Sequence, residues 1–90
     1  SQVIRMNVLY GGYEPNAFTI RSGVPTQWLI DGSQAGGCAS VLQAPQLGIG
    51  QTLLKRGINT ITFTEPQPGT YAFSCSMGMY RGTITVIPNG

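Results

Sequence analysis

Four sulfur-bearing side chains are the residues of this 90-residue chain with the clearest potential for chemistry: Cys38, Cys75, Met77 and Met79. The last three stand at alternate positions, whereas Cys38 lies far upstream, and the chain contains no histidine. Thiolates and thioethers are soft donors that select Cu(I), while Cu(II) favours nitrogen and oxygen ligands. The donor set therefore indicates Cu(I) as the metal ion.

The chain lacks the residues that catalysis or nucleic-acid binding would require. The three carboxylates, Glu14, Asp31 and Glu65, are far apart in sequence, and neither a histidine nor another base stands near Cys75. General acid–base or thiol catalysis needs such a base, so we predict that the chain is not an enzyme. The net charge is only +2 and the five basic residues form no run, which argues against nucleic-acid binding.

Length and composition indicate one domain spanning residues 1–90. Charged residues make up 9% of the chain, against about 25% in an average globular domain. No segment has the ~20 consecutive apolar residues of a membrane-spanning helix, and no signal peptide is visible. Because the chain begins Ser-Gln and enters a strand-like run at once, we expect a domain excised from a larger membrane-associated protein whose anchor is absent here.

Short alternating runs separated by turn residues predict an all-β fold of seven or eight strands. The runs are residues 3–10, 17–20, 25–31, 41–42, 59–64, 70–75 and 82–87, and residues 47–54 are ambiguous between an edge strand and a turn. Turns about every ten residues are typical of an antiparallel sandwich or a Greek-key barrel. Trp28 and Met6 fall within these runs, and we assign both to the core.

Strand alternation predicts how the sulfurs are placed. Tyr71, Phe73 and Cys75 share a face, so the thiol should emerge from the core face at the end of its strand. Continuing the count puts Met77 and Met79 in the same phase, and a glycine between them would let the backbone turn both thioethers inward. Cys38 closes a flexible glycine-rich stretch at the end of another strand, which a sandwich could bring to the same end.

Two surface assignments complete this placement. Tyr80 and Arg81 flank the sulfur cluster and are assigned to the solvated surface. A low-charge segment around Cys38 is a hypothetical docking patch for a copper donor or acceptor. Its residues are Gly36, Gly37, Ala39, Leu42, Ala44 and Pro45.

The segment 68–75, followed by Met79 and the strand 82–86, resembles the copper loop and final strand of the cupredoxins. That resemblance implies a Greek-key β-sandwich. Blue-copper members of the family use two histidines, a cysteine and a weak axial methionine. Here Cys38 stands where the first histidine would be and Met77 lies near the position of the second, a departure that argues against blue-copper electron transfer.

The departure is similar to that of the Cu(I)-binding cupredoxin domains of bacterial copper-resistance systems. The segments that carry this resemblance are 13–16, 23–25, Trp28, 37–38, Pro45, 47–49 and 73–79. It implies that Cys38 and Cys75 bind Cu(I) as a thiolate pair, and that Met77 and Met79 help to hold a second, weaker Cu(I). One or two copper ions are therefore expected.

The same resemblance implies a setting. Such domains occur as membrane-anchored copper chaperones and at the N-termini of copper-exporting P-type ATPases, so the expected partner is a copper donor or acceptor of that kind. We expect a monomer associated with a bacterial membrane. The cytoplasmic face is favoured, while periplasmic and cell-surface positions stay open.

Two alternatives stay open at this point. The first is an electron-transfer protein with a mononuclear or binuclear copper centre. The second is a metal-free β-sandwich that serves adhesion or assembly, in which Cys38 and Cys75 form a structural disulfide. Two cysteines permit either one disulfide or one metal-binding pair, and the sequence does not settle the redox compartment.

Overall fold

Two β-sheets, packed face to face, make up the domain. The computed structural model describes residues 1–89, apart from the side chain of Cys38, and contains nine strands in that part of the chain. They are β1 (Gln2–Leu9), β2 (Gly12–Glu14), β3 (Ala17–Arg21), β4 (Thr26–Asp31), β5 (Val41–Ala44), β6 (Ile49–Leu53), β7 (Ile58–Phe63), β8 (Gly69–Cys75) and β9 (Arg81–Ile87). Short 3₁₀ helices cover Gly37–Ser40 and Pro45–Leu47. No helix within residues 1–89 is long and apolar enough to cross a membrane.

The order of strands is β2-β1-β4-β7 in one sheet and β3-β9-β8-β5-β6 in the other. The predicted all-β sandwich is thus confirmed. The strand count rises to nine because Gly12–Glu14 is too short to show alternation, and because the ambiguous segment contains the strand Ile49–Leu53.

Both sheets are mixed, and the prediction of an antiparallel sandwich was wrong in this respect. β1 runs parallel to β4 and β3 runs parallel to β9, whereas the other paired strands are antiparallel. Alternation in a sequence fixes which face of a strand is buried. It carries no information about which strand becomes the neighbour or in which direction that neighbour runs.

Aromatic rings fill the space between the sheets. Trp28 is fully buried, with its ring centroid 4.7 Å from that of Phe73 and 6.4 Å from those of Phe18 and Phe63. Pairs of this kind contribute about 0.5–1.5 kcal/mol beyond their buried area. Met6 is also buried, so both core assignments are confirmed. Among the described residues, the indole Nε1 of Trp28 has no hydrogen-bond partner.

One end of the sandwich collects the loops that follow β8, β6 and β1. Leu42 of β5 pairs with Cys75 of β8, and Val41 pairs with Leu53 of β6. The two sheets are tied at this end by the Gly11 backbone N–H, which donates to the Tyr80 hydroxyl at 2.8 Å. We call it the Cys75 end. The opposite end, where β3 and β9 finish with paired Arg21 and Ile87, is the far end.

Candidate functional site

Cys75 is the last residue of β8 and is fully buried. Phe73, two residues earlier on the same face, is also buried, so the prediction that the thiol emerges from the core face is confirmed. The Sγ atom accepts the backbone N–H of Tyr80 at 3.3 Å. A backbone N–H directed at sulfur favours negative charge on it, which is the form that binds metals.

Backbone hydrogen bonds shape the loop from Cys75 to Arg81. The Cys75 N–H donates to the Tyr80 carbonyl at 3.0 Å, and the Gly78 N–H donates to the Cys75 carbonyl at 3.0 Å. Arg81 Nε donates to the Gly78 carbonyl at 2.9 Å. Gly78 has a φ of +71°, in the left-handed region that favours glycine. The loop is therefore closed by its own backbone around Gly78.

Met77 and Met79 face solvent on either side of Gly78, with 74% and 75% of their surfaces exposed. The prediction that both thioethers turn inward was therefore wrong. The strand ends at Cys75, so its alternation does not continue, and the turn at Gly78 carries the two side chains outward. Their role as copper ligands stays a prediction, now for accessible sulfurs beside a buried one.

Cys38 lies in the 3₁₀ helix Gly37–Ser40, directly before β5. This helix contacts β8, and β5 pairs with the end of β8 at Cys75. The fold thus brings the backbone at Cys38 to the Cys75 end. The Cys38 side chain lies outside the described part of the chain, so pairing of the two thiolates stays a prediction.

Tyr80 joins the loop to the core. Its half-buried ring packs edge-on against Tyr13 at 5.4 Å, and Tyr13 lies 5.3 Å from Phe73. Its hydroxyl accepts the Gly11 N–H, so its assignment to the solvated surface was wrong. A signal was present in the sequence: Tyr80 has the same strand phase as Ile84 and Val86, which are both buried.

The predicted docking patch around Cys38 is contradicted by burial. Ala39 is 1% exposed, and Leu42 and Ala44 are fully buried. β5 lies between β6 and β8, so its alternate side chains enter the core, and the 3₁₀ helix turns Ala39 inward beside them. Of that set, only Gly36, Gly37 and Pro45 are exposed.

A cleft of about 410 Å³ lies between the loop from Cys75 to Arg81 and the turn that joins β1 to β2. Met79 and Arg81 form one wall, and residues of the turn between β1 and β2, including the 98% exposed Tyr10, form the other. Glu14 also lines it. Met79 thus borders this cleft and is also exposed to bulk solvent.

The fold and the buried cysteine at the end of β8 define a copper-protein type of β-sandwich. The chain belongs to the family of cupredoxin-like domains, whose model matches residues 1–86. No curated protein sequence matches the chain.

Solved structures extend the comparison. The chain is 26% identical to the metal-binding domain of the Streptococcus pneumoniae D39 Cu(I)-exporting P-type ATPase CopA, solved with Cu(I), over 94% of this chain and 84% of that one, with a TM-score of 0.83. It is also 26% identical to a copper-binding protein solved in the apo form, over 94% of this chain and 86% of that one, with a TM-score of 0.83. Auracyanin B, at 15% identity and a TM-score of 0.72 over 98% of this chain and 90% of that one, shares the fold.

Proposed function

We propose that this domain binds Cu(I) and passes it on by exchange between sulfur ligands. One observation carries the proposal. A single hairpin loop holds a fully buried thiol at Cys75 and, within four residues, two thioethers that are three-quarters exposed. Soft donors of both kinds suit Cu(I), and no imidazole is available anywhere in the chain for Cu(II).

The division between buried and exposed sulfur fits a carrier. In this proposal Cys75 and Cys38 hold one Cu(I) tightly as a thiolate pair. Met77 and Met79, with a bridging thiolate, hold a second ion more weakly. Cu(I) is a d¹⁰ ion that accepts two or three soft ligands, so an incoming thiolate could add to the copper ion on the side of the exposed thioethers before the buried thiolate dissociates from it. A chain with these properties carries copper and catalyses no reaction.

The proposed setting is copper tolerance at a bacterial membrane. The similarity to a metal-binding domain of a Cu(I)-exporting ATPase supports a transporter or a chaperone as the parent protein. The partner is then a donor or acceptor of Cu(I), such as the pump itself. We further propose that residues 1–90 form one monomeric domain, held on the cytoplasmic side by an anchor elsewhere in the parent.

The test is an anaerobic titration of the reduced domain with Cu(I) against a chromophoric Cu(I) chelator. Tight uptake of one or two equivalents without visible colour is the expected result. Intense visible absorption after oxidation would instead indicate a Cu(II)–thiolate electron-transfer centre. Failure to compete with the chelator, together with a count of zero reactive thiols in the native protein, would favour the disulfide-stapled sandwich.

A further inference from the structure

The turn between β6 and β7 presents cations and aliphatic side chains together. Lys55 and Arg56 are the only adjacent basic residues in the chain, and both are exposed. Leu53 and Ile58, on either side of them, are 70% and 65% exposed. We call residues 53–58 the basic turn. Large aliphatic side chains left in water beside a pair of cations indicate a binding surface.

The basic turn is rigid. The Asn59 side chain accepts the Lys55 N–H at 2.9 Å and donates to the Lys55 carbonyl at 2.9 Å and to the Ile30 carbonyl at 3.2 Å. The Gly32 N–H donates to the Gly57 carbonyl at 2.9 Å. Leu54 is buried and anchors the centre of the turn in the core. The exposed side chains therefore project from a fixed backbone, and little backbone order is lost when they bind.

The basic turn lies at the Cys75 end. Leu53 pairs with Val41, and the Leu54 N–H donates to the carbonyl of Ser40, the last residue of the 3₁₀ helix that contains Cys38. Among the described residues, five of the seven exposed large hydrophobic side chains lie at this end of the sandwich. They are Tyr10, Leu53, Ile58, Met77 and Met79. The loop from Cys75 to Arg81 and the basic turn thus lie at the same end of the sandwich.

We propose that the basic turn docks the domain onto an anionic lipid bilayer, with its Cys75 end toward the membrane. The exposed Leu53 side chain can enter the acyl boundary, while Lys55 and Arg56 remain at the level of the lipid phosphates and Ile58, beside Asp31, stays outside the contact. Each basic residue near an anionic surface adds to the attraction. A bilayer requires no matching shape, which suits a projecting turn better than the broad complementary surface of a protein partner.

Asp31 is the carboxylate next to this surface, because it pairs with Ile58 in the register of β4 and β7. Hydrogen bonds from the Ser33 side chain and from the Ser33 N–H, which donates to Oδ1 at 2.9 Å, lower the pKa of Asp31, so its carboxyl group is charged at neutral pH. An anionic bilayer would therefore be approached from the Lys55–Arg56 side of the turn, away from Asp31. This docking uses none of the sulfur ligands, so it stands or falls independently of copper binding.

The test is co-sedimentation of the metal-free, full 90-residue chain with sucrose-loaded vesicles of roughly two parts phosphatidylcholine to one part phosphatidylglycerol. We expect binding at low salt, loss of binding at high salt, and no binding to vesicles of phosphatidylcholine alone. The double variant Lys55→Gln, Arg56→Gln should weaken binding about thirtyfold, from the usual contribution of two basic residues. Leu53→Ser should weaken it by a smaller factor.

Matched variants at the far end separate docking from general charge and hydrophobicity. Arg21→Gln also removes one cation, and Ile87→Ser also removes an exposed aliphatic side chain, 38% exposed. Both should bind vesicles like the unaltered chain. The proposal is overturned if the chain does not bind anionic vesicles, if it binds neutral ones equally well, or if Arg21→Gln weakens binding as much as the single variant Lys55→Gln, which removes one cation from the basic turn. The first of these results would leave an acidic protein surface as the partner of the turn.

Discussion

The sulfur atoms at the end of β8 and in the loop that follows it lie in two opposite environments. Cys75 is fully buried and accepts the N–H of Tyr80, whereas Met77 and Met79 are about three-quarters exposed on either side of Gly78. The same backbone hydrogen bonds produce both outcomes, because they hold the two ends of the loop against the core and leave its tip in solvent. In the proposed function, this difference divides tight binding of a metal ion from its release within a single hairpin.

Removing the buried sulfur should have the largest effect. Cys75→Ser should reduce Cu(I) affinity by more than about a hundredfold, the upper range for losing a group that only supports a ligand. Chelator competition measures this loss, and circular dichroism checks that the variant is folded. Cys38→Ser should lose affinity to the same extent if the two thiolates act as a pair. A folded Cys75→Ser variant that keeps its affinity would remove Cys75 from the site.

A substitution in the core next to Cys75 should have nearly as large an effect, in this case on the stability of the fold. A Cβ atom on Gly82 would overlap the ring of Phe73 and lie 2.6 Å from the Asn16 carbonyl oxygen. Gly82→Ala should therefore lower the free energy of unfolding by about 3 kcal/mol, the upper range for overpacking. Gly50→Ala is the matched control, because a Cβ there meets nothing within 4 Å. Equal urea midpoints for the two variants would contradict this account of the core.

Removing the exposed sulfurs should reduce Cu(I) affinity less, and only the affinity for the second metal ion. Met77→Leu combined with Met79→Leu should leave the first Cu(I) bound and weaken the second about tenfold, since soft ligands are lost while Cys75 stays. Stability should change by less than about 0.5 kcal/mol because both side chains are in solvent. Met6→Leu, in the core, is the control that spares copper. Two tightly held ions in the double variant would disprove the assigned roles.

Loss of the hydrogen bond that joins the loop to the other sheet should have the smallest effect of the four. Tyr80→Phe removes the hydroxyl that accepts the Gly11 N–H, and should cost about 1 kcal/mol of stability. Tyr10→Phe, at a ring that is 98% exposed, should cost nothing measurable. Urea unfolding of both variants makes the comparison. If their midpoints coincide, the hydroxyl does not hold the loop to the neighbouring sheet.

The sequence predicted the strands because alternation records burial directly. β7 alternates between exposed and half-buried residues along its whole length, and the inward side of β8 is the run that ends at Phe73 and Cys75. The prediction failed where strand phase was extended past Cys75. There the backbone closes on itself through hydrogen bonds between main-chain groups, which no side-chain pattern records.

The burial of Ala39, Leu42 and Ala44 shows a second limit. Apart from Val41, their neighbours are glycine, cysteine, serine, glutamine and proline, so only a two-residue apolar run marked the segment as a strand. It is buried because β5 is an inner strand of its sheet. That position depends on the pairing of β5 with β6 on one side and with β8 on the other, and the pairing with β8 is decided by contacts between distant parts of the chain.

The central indole also makes this domain its own spectroscopic reporter. Trp28 is the only tryptophan, it is fully buried, and its ring contacts Phe73 rather than water or the exposed loop. Its emission should be short in wavelength while the two sheets are together and should move to the red when they separate. Unfolding of every variant can thus be followed by fluorescence, without a label.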